Sequence, residues 1–274
     1  MKAAHQALFN RLWEQYAGLA PSAHRIHALF GARGEKVEND HIAFRTFNDP
    51  RIGIPVLATI FLEMGYEEKG SYLFPEKKLL ARHYEHPETG YPRIFISELK
   101  VEELGTATAE LVRTFLREID SDNIVAGRLS YAGRLWNTPS HTIYRRLQEE
   151  SEYAAWVYAY GFCANHFTVY TNSLQYFPSL EAVNDFLVQN GFALNQSGGA
   201  IKGTPAQLLE QSSILADRID VQFAEGMFTV PGCYYEFARR YPDVNGNIYQ
   251  GFIAASADKI FESTDAALAA QDAK

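Results

Sequence analysis

NDHIAFRTF at residues 39–47 and ANHFTVYTN at residues 164–172 are two similar stretches of sequence. Each places a histidine, His41 or His166, on an apolar run rich in β-branched and aromatic residues, a composition that favours β-strands. We therefore interpret each stretch as the first strand of a module, and the modules as degenerate copies of each other. In such a repeat, each copy contributes one histidine to a shared cleft.

Helix ends at matching distances support this internal duplication. A helix predicted at 55–64 ends at Gly65, and a helix predicted at 180–190 ends at Gly191. These glycines lie 24 residues after the first histidine and 25 residues after the second. Glycine commonly ends helices because it adopts left-handed backbone angles without steric cost. The spacing predicts the same strand-to-helix unit twice.

The closing strands of the two copies also correspond. They are predicted at 93–99 and 232–237, so that Glu98 and Glu236 take matching places. The first copy then has the order βαβββ. The second copy repeats this order with a longer middle, which we expect to add a strand within 217–225.

These patterns predict a single composite domain, residues 1–274, of the α+β class. We expect duplicated βαβββ modules to form a curved mixed sheet around a metal cleft, with flanking helices. The parts in order are N-terminal helices (1–36), the first module (37–99), a helical insert (100–161), the second module (162–255) and a tail (256–274). Residues 248–254 are predicted to form a last strand, and the Ala-rich chain from Ser263 is expected to fray.

Composition excludes several classes of protein. The 274 residues are 47% hydrophobic and 21% charged, as in ordinary globular proteins. The net charge of −8 without a Lys/Arg cluster argues against nucleic-acid binding. No apolar run approaches the roughly 18 residues of a membrane span, and the N-terminal sequence does not resemble a signal peptide. Cys163 and Cys233 form no C-x-x-C pair, so we expect reduced cysteines and a cytoplasmic protein.

Two histidines and one glutamate form the candidate metal site. His41, His166 and Glu236 are the ligand types of a facial triad, which leaves positions on Fe(II) open for substrate and oxygen. Spacing does not choose the metal, because addition of Glu98 would equally suit zinc or nickel in a lyase or isomerase. It also leaves open that the histidines only pack in a core.

Arg45 is the candidate substrate-binding residue. It shares a strand face with His41 by the period-2 alternation, about 13 Å along the strand, and its fork of donors suits a carboxylate. Arg240 shares a face with Glu236 by the same rule and is a second candidate. Other polar residues could contact substrate or orient a ligand: Glu98, Arg82, His83, Gln211, Ser212 and Ser213.

Three segments resemble the hallmark sequences of a known family. DHIAFRTF (40–47), ANHFT (164–168) and PGCYYEFARR (231–240) are similar to those of the DUF1338 family, whose characterised members are 2-oxoadipate dioxygenase/decarboxylases, also called 2-hydroxyglutarate synthases. The resemblance runs from about residue 25 to about residue 255. It implies a fold related to the vicinal oxygen chelate superfamily, Fe(II) bound by His41, His166 and Glu236, and substrate bound by Arg45.

The resemblance also implies a reaction. Family members convert 2-oxoadipate and O₂ to 2-hydroxyglutarate and CO₂, late in lysine catabolism, and need no separate 2-oxoglutarate. The chain is shorter than the characterised enzymes, so we expect the metal site to be retained while the substrate stays undetermined. Glu98 is expected to be structural or to support a ligand. The alternatives are a glyoxalase-like metal-dependent lyase or hydrolase and a non-enzymatic binding protein; the oligomeric state is not predicted.

Overall fold

The computed structural model describes residues 1–264, which fall into two compact units. Unit 1 comprises Met1–Tyr16, Ala43–Asn165 and Arg218–Val230. Unit 2 comprises Ala17–Ile42, His166–Asp217 and the chain from Pro231 onward. The interpretation of the whole chain as one composite domain stays a prediction.

Helices and strands are interleaved along the described chain, as expected for the α+β class. In chain order the elements are α1 (Ala3–Leu19), α2 (Pro21–Ala32), β1 (Asn39–Phe47), α3 (Ile54–Leu57), α4 (Thr59–Glu63), β2 (Glu67–Phe74), β3 (Leu79–Glu85), β4 (Arg93–Leu99), α5 (Thr106–Leu116), α6 (His141–Glu150), α7 (Glu152–Tyr160), β5 (Ala164–Tyr170), α8 (Leu180–Gln189), β6 (Lys202–Thr204), β7 (Leu209–Ser213), β8 (Arg218–Phe223), β9 (Gly226–Pro231), β10 (Tyr234–Arg240) and α9 (Ala254–Phe261).

The first module has the predicted βαβββ order, with one difference in its helix. The strands lie in the order β2-β3-β4-β1, and β3 is antiparallel to both β2 and β4. The predicted helix at 55–64 is divided into α3 and α4 at Ala58, whose ψ of −16° departs from the usual helical value. The division is slight, because the Leu62 amide still donates to the Ala58 carbonyl at 3.0 Å.

The second module repeats this arrangement. Its strands lie in the order β5-β10-β7-β6, so the first strand again neighbours the last. Strand β10 is parallel to β5 and antiparallel to β7, which makes this group of strands mixed. The Ser179 hydroxyl accepts from the Ala182 amide at the start of α8, and Gly191 follows the helix at φ +83°, as Gly65 follows α4 at φ +99°. The predicted α+β class and duplication are confirmed.

The predicted strand at 248–254 is wrong. The chain forms one isolated bridge, between Pro242 and Ile248, and α9 begins at Ala254. The physical reason lies in Arg240, whose Nη1 donates hydrogen bonds to the Tyr249 and Gly251 carbonyls at 3.0 and 2.8 Å. Acceptors that a strand ladder would use are therefore bound to a side chain.

The predicted additional strand within 217–225 is present as β8. It pairs with β9 in a separate two-stranded ribbon that belongs to unit 1, and it does not join the strands of the second module. The chain expected to fray from Ser263 falls mainly on residues 265–274, which lie outside the described part.

The range predicted as a helical insert contains three helices, α5, α6 and α7. Ser151 separates α6 from α7, and its hydroxyl accepts from the Ala154 amide as an N-cap. Tyr153 of α7 connects the insert to the first module. Its hydroxyl accepts a hydrogen bond from the Thr46 amide at 3.0 Å and donates one to the Ser97 carbonyl at 2.6 Å. Among the described helices, none combines the length and apolar character needed to cross a bilayer.

Candidate metal centre

His41, His166 and Glu236 come together in unit 2. Each offers one ligand atom, and these atoms all lie within 4.8 Å of one another. The three side chains are buried, with residue exposures of 2%, 4% and 0%. The structure therefore brings together the three residues that the sequence predicted as metal ligands.

The pairing of β5 with β10 explains this proximity. Tyr234 lies opposite His166 in the parallel register, and Glu236 follows two residues later on the same face. The His166 Nε2 atom lies 3.1 Å from one Glu236 oxygen, Oε2. The His41 Nε2 atom lies 3.6 Å from the other, Oε1. Both histidines thus direct the same ring nitrogen toward one carboxyl group.

The environment of Glu236 fits a bound cation. Burial raises the pKa of Glu236 to about 8, although a hydrogen bond from Gln211 Nε2 to Oε1 at 2.6 Å acts in the opposite direction. The buried Oε2 atom accepts no hydrogen bond from the described residues. A carboxylate in this position needs a positive charge nearby, and two imidazoles with one carboxylate match the donor preferences of a divalent transition metal.

A buried ion pair lies behind His41. The Nδ1 atom of His41 is 2.8 Å from Asp40 Oδ1. Arg240 binds the same carboxylate in a bidentate manner, with Nε to Oδ2 at 2.6 Å and Nη2 to Oδ1 at 2.9 Å. On the other side of the ring, the Thr168 hydroxyl lies 3.1 Å from Nε2. Asp40 and Thr168 were not singled out in the sequence, although each stands beside or two residues after a predicted ligand.

Aromatic rings line the two histidines. Phe252 meets the His41 ring edge to face at 4.8 Å between centroids, and Tyr234 stacks on His166 at 4.7 Å. These contacts restrict rotation of the imidazoles. Phe252 was not predicted as part of the site, because it lies in the segment that was predicted as a strand.

Arg45 lies in unit 1 and is 2% exposed. Its guanidinium carbon lies 5.0 Å from the Tyr153 ring centroid and 5.2 Å from that of Trp156. Both rings come from α7, and such distances are typical of cation–π contacts. Arg45 is thus a buried arginine whose guanidinium packs against two aromatic rings.

Glu98 and Glu236 are not structural equivalents, contrary to the spacing of the sequence. Glu98 accepts from the Ile54 amide at 2.8 Å and therefore lies on the helix side of the first module. In the second module the residue paired with the helix-contacting Ser212 is Phe237, so Glu236 lies on the opposite side of its strands. Glu98 caps the N-terminus of α3 by accepting a hydrogen bond from its first amide.

The other candidates have partners of their own. Arg82 donates to Glu68 at 3.0 Å at the surface of unit 1. His83 lies between the Tyr72 hydroxyl and Glu85. In unit 2, Ser212 donates to Asn184 at 2.7 Å and faces away from Glu236, while the Ser213 hydroxyl pairs with that of Ser263 at 2.8 Å. Arg240, as described above, uses its guanidinium to hold Asp40 and two backbone carbonyls.

Lys202 is a buried cation that the sequence analysis did not identify. It lies opposite Gln211, which lies opposite Ala238, so all three share the face of Glu236. Its ammonium group donates to the Asn195 carbonyl at 2.5 Å and the Ala200 carbonyl at 3.4 Å. Burial lowers the pKa of Lys202 to about 8, and the charge of Glu236 opposes this shift.

Comparison with known proteins identifies relatives in sequence and in fold. The sequence model of the family described as 2-oxoadipate dioxygenase/decarboxylase matches residues 14–244. A rice protein (Oryza sativa subsp. japonica) named 2-oxoadipate dioxygenase/decarboxylase, chloroplastic/amyloplastic, is 36% identical over 94% of this chain and 78% of its own length. The crystal structure of a rice hydroxyglutarate synthase in complex with 2-oxoadipate superposes with a TM-score of 0.90 and 32% identity, over 98% of this chain and 96% of that one.

A third relative carries a different name. A protein of Shewanella frigidimarina, described as a candidate hydrolase, has a TM-score of 0.86 and 47% identity over 91% of this chain and 97% of its own. The alignment covers only 78% of the length of the curated rice protein, in line with the expected shortfall, whereas the solved rice chain is matched over 96% of its length. The family match covers well over half of the sequence, and the rice relatives share both its sequence and its fold. The chain therefore belongs to the 2-oxoadipate dioxygenase/decarboxylase family.

Proposed function

We propose that this protein is an Fe(II)-dependent dioxygenase/decarboxylase that converts 2-oxoadipate, or a close 2-oxo acid, and O₂ to 2-hydroxyglutarate and CO₂. The observation that carries the proposal is the buried group of His41, His166 and Glu236 in a member of this family. The reaction balances without a further reductant, because the 2-oxo acid supplies all four electrons that O₂ takes up: two when it loses CO₂ and two when a C–H bond of the shortened chain becomes C–OH. Both oxygen atoms of O₂ end in 2-hydroxyglutarate, one in its new carboxylate and one in its hydroxyl group, whereas CO₂ is the former carboxylate of the 2-oxo acid.

The choice of Fe(II) rests on the ligand set. Two histidines and one carboxylate leave coordination positions open, and this set is typical of non-haem iron oxygenases. When bound, the metal supplies a site at which a 2-oxo acid and O₂ meet. The protein supplies a buried setting in which electrostatic interactions are strong and water is excluded.

The roles of the protein groups follow from their contacts. Gln211 holds one oxygen of Glu236 through its 2.6 Å hydrogen bond, so that the other oxygen stays directed toward His166. The Asp40 carboxylate binds Nδ1 of His41, the ring nitrogen that does not face Glu236. These contacts orient the ligands before any metal binds, which reduces the cost of binding.

Arg45 is proposed to bind a carboxylate of the substrate. The proposal rests on its position in the family motif, on the strand face that it shares with His41, and on its permanent charge. The cation–π contacts with Tyr153 and Trp156 would keep the guanidinium in place. Arg45→Lys keeps the charge but loses the fork, so we expect a higher KM for 2-oxoadipate with a smaller change in kcat. An unchanged KM in Arg45→Lys and in Arg45→Met would remove Arg45 from the proposal.

The direct test is turnover by protein loaded with iron under anaerobic conditions. We expect 2-oxoadipate to trigger oxygen uptake and CO₂ release in equal amounts, with 2-hydroxyglutarate as the organic product. His166→Ala should lose bound metal and both signals, whereas Ser212→Ala, whose hydroxyl faces α8, should keep them. Absence of turnover across a panel of 2-oxo diacids would sink the proposal.

A metal-dependent hydrolase or lyase is the second candidate, and the description of the Shewanella frigidimarina relative favours it. It predicts activity that persists without oxygen and that prefers zinc, nickel or manganese. A non-enzymatic binding protein predicts that no metal binds. The proposed compartment is the cytoplasm, for which the two free, buried cysteines are the supporting observation. A role late in lysine catabolism is part of the same proposal.

A further inference from the structure

We propose that Asp40 and Arg240 form a positioning pair that fixes His41 in the one tautomer able to bind a metal through Nε2. The proposal rests on the metal centre of the proposed function. It adds two residues, 200 positions apart in sequence, to the machinery that prepares this centre. Neither residue touches the reacting atoms, so both would act through His41.

The first step of the argument concerns charge. Arg240 and Asp40 are each 1% exposed, and their bidentate pair closes at 2.6 and 2.9 Å. A guanidinium stays protonated in proteins, and its fork matches the two oxygens of an ionised carboxylate. Asp40 is therefore present as a carboxylate, which accepts hydrogen bonds and donates none.

The second step concerns the imidazole. Because Asp40 only accepts, the 2.8 Å contact with His41 requires the proton to be on Nδ1. A neutral imidazole with its proton on Nδ1 carries a lone pair on Nε2. The Nε2 atom faces Glu236 at 3.6 Å and the Thr168 hydroxyl at 3.1 Å, and that hydroxyl can donate to the lone pair until a metal takes its place.

The third step concerns the other side of the ring. Arg240 also donates from Nη1 to the Tyr249 and Gly251 carbonyls, and its guanidinium carbon lies 5.2 Å from the Phe252 ring. Phe252 in turn meets the His41 ring edge to face at 4.8 Å. One arginine therefore holds both the carboxylate that orients His41 and the backbone segment whose phenyl ring restricts its rotation.

A purely structural ion pair would explain the burial but not the tautomer, and the two roles are separable by experiment. Asp40→Asn keeps the shape of the side chain and removes its charge. Arg240→Met removes the hydrogen bonds to Asp40 and those to the Tyr249 and Gly251 carbonyls. The matched control is Arg239→Met, the same change one residue earlier on the opposite strand face. Metal affinity is measured on metal-free protein by competition with a chelator, using Co(II) and Zn(II). The His41 tautomer is read from ¹⁵N chemical shifts of the metal-free protein.

The wild-type protein should show the Nδ1-protonated form of His41. Asp40→Asn should give a mixture of tautomers and a metal affinity about 10- to 100-fold lower, the range usual for residues that orient a ligand. Arg240→Met should lose at least as much affinity, and Arg239→Met should match the wild type. If Arg240→Met does not fold, Arg240→Lys replaces it, because one ammonium group cannot hold Asp40 and both carbonyls at once.

Two results would overturn the inference: a folded Asp40→Asn variant that binds metal as tightly as the wild type, or wild-type spectra with the proton on Nε2. Failure of the proposed function looks different. A wild-type protein that binds metal with the predicted tautomer but turns over no 2-oxo acid would refute the reaction and leave the positioning pair standing.

Discussion

Replacement of Glu98 by alanine tests whether this residue is a structural cap or a fourth metal ligand. Glu98 Oε2 accepts from the Ile54 amide at 2.8 Å, at the first residue of α3. No side chain of the local sequence caps this helix, so a strand residue 44 positions away serves as the acceptor. A Cβ built on Gly53 would lie 3.1 Å from the same oxygen, which shows how closely the carboxyl group packs there.

The expected loss is about 1 kcal/mol, within the range of about 0.5–2 kcal/mol for removal of a helix-capping acceptor. Burial raises the pKa of Glu98 and offsets part of the gain from this hydrogen bond, which places the loss near the middle of that range. A loss of this size lowers the Tm by roughly 2–4 °C in a chain of about this length. Glu98→Gln keeps an acceptor oxygen and should lose only a few tenths of a kcal/mol.

The assay combines urea unfolding with metal analysis of the same samples. We expect Glu98→Ala to unfold at lower urea concentration, while its bound metal per chain and its oxygen uptake with 2-oxoadipate equal those of the wild type. Retained stability with lost metal would refute this reasoning and would favour the lyase alternative, in which Glu98 is a ligand.

Three further predictions concern ionisable groups. In metal-free protein, the stability of Glu236→Gln relative to the wild type should increase as pH rises from 4.5 to about 8, because the raised pKa makes ionisation of Glu236 unfavourable in the folded state. Urea titrations in EDTA at pH 5 and pH 8 check this prediction. An equal difference in the free energy of unfolding at the two pH values would contradict it. The stability of the wild type should rise between about pH 8 and 10.5, because the Lys202 ammonium group binds its proton more tightly in the unfolded chain than in the folded one. Lys202→Met should lack this rise. Parallel curves of unfolding free energy against pH for the variant and the wild type would contradict the prediction. Glu225 accepts hydrogen bonds from the Ser140 hydroxyl and the His141 amide at the start of α6, and these bonds lower its pKa to about 2. The greater stability of the wild type over Glu225→Gln should therefore decrease as pH falls from 4.5 to 2. Acid unfolding followed by circular dichroism tests this prediction.

Local patterns in the sequence determined the elements and their repetition. The strands at 39–47 and 164–170 were predictable because alternating apolar and β-branched residues favour extended chain wherever they lie. The ends of α4 and α8 were predictable because Gly65 and Gly191 adopt positive φ without strain. The same local reasoning placed His41, His166 and Glu236 on strands.

The partners of these residues were decided only by the tertiary structure. A shift of one residue in strand register turns every side chain to the other face, and counting across loops of unequal length does not fix the register. This is why Glu98 was matched to Glu236 although it faces the helix side of its module. Arg240 was predicted as a substrate contact because its partner, Asp40, lies 200 positions away in sequence and becomes its neighbour only in the folded chain. Sequence supplies the chemical groups of the metal centre, whereas long-range pairing of strands supplies the contacts that orient them.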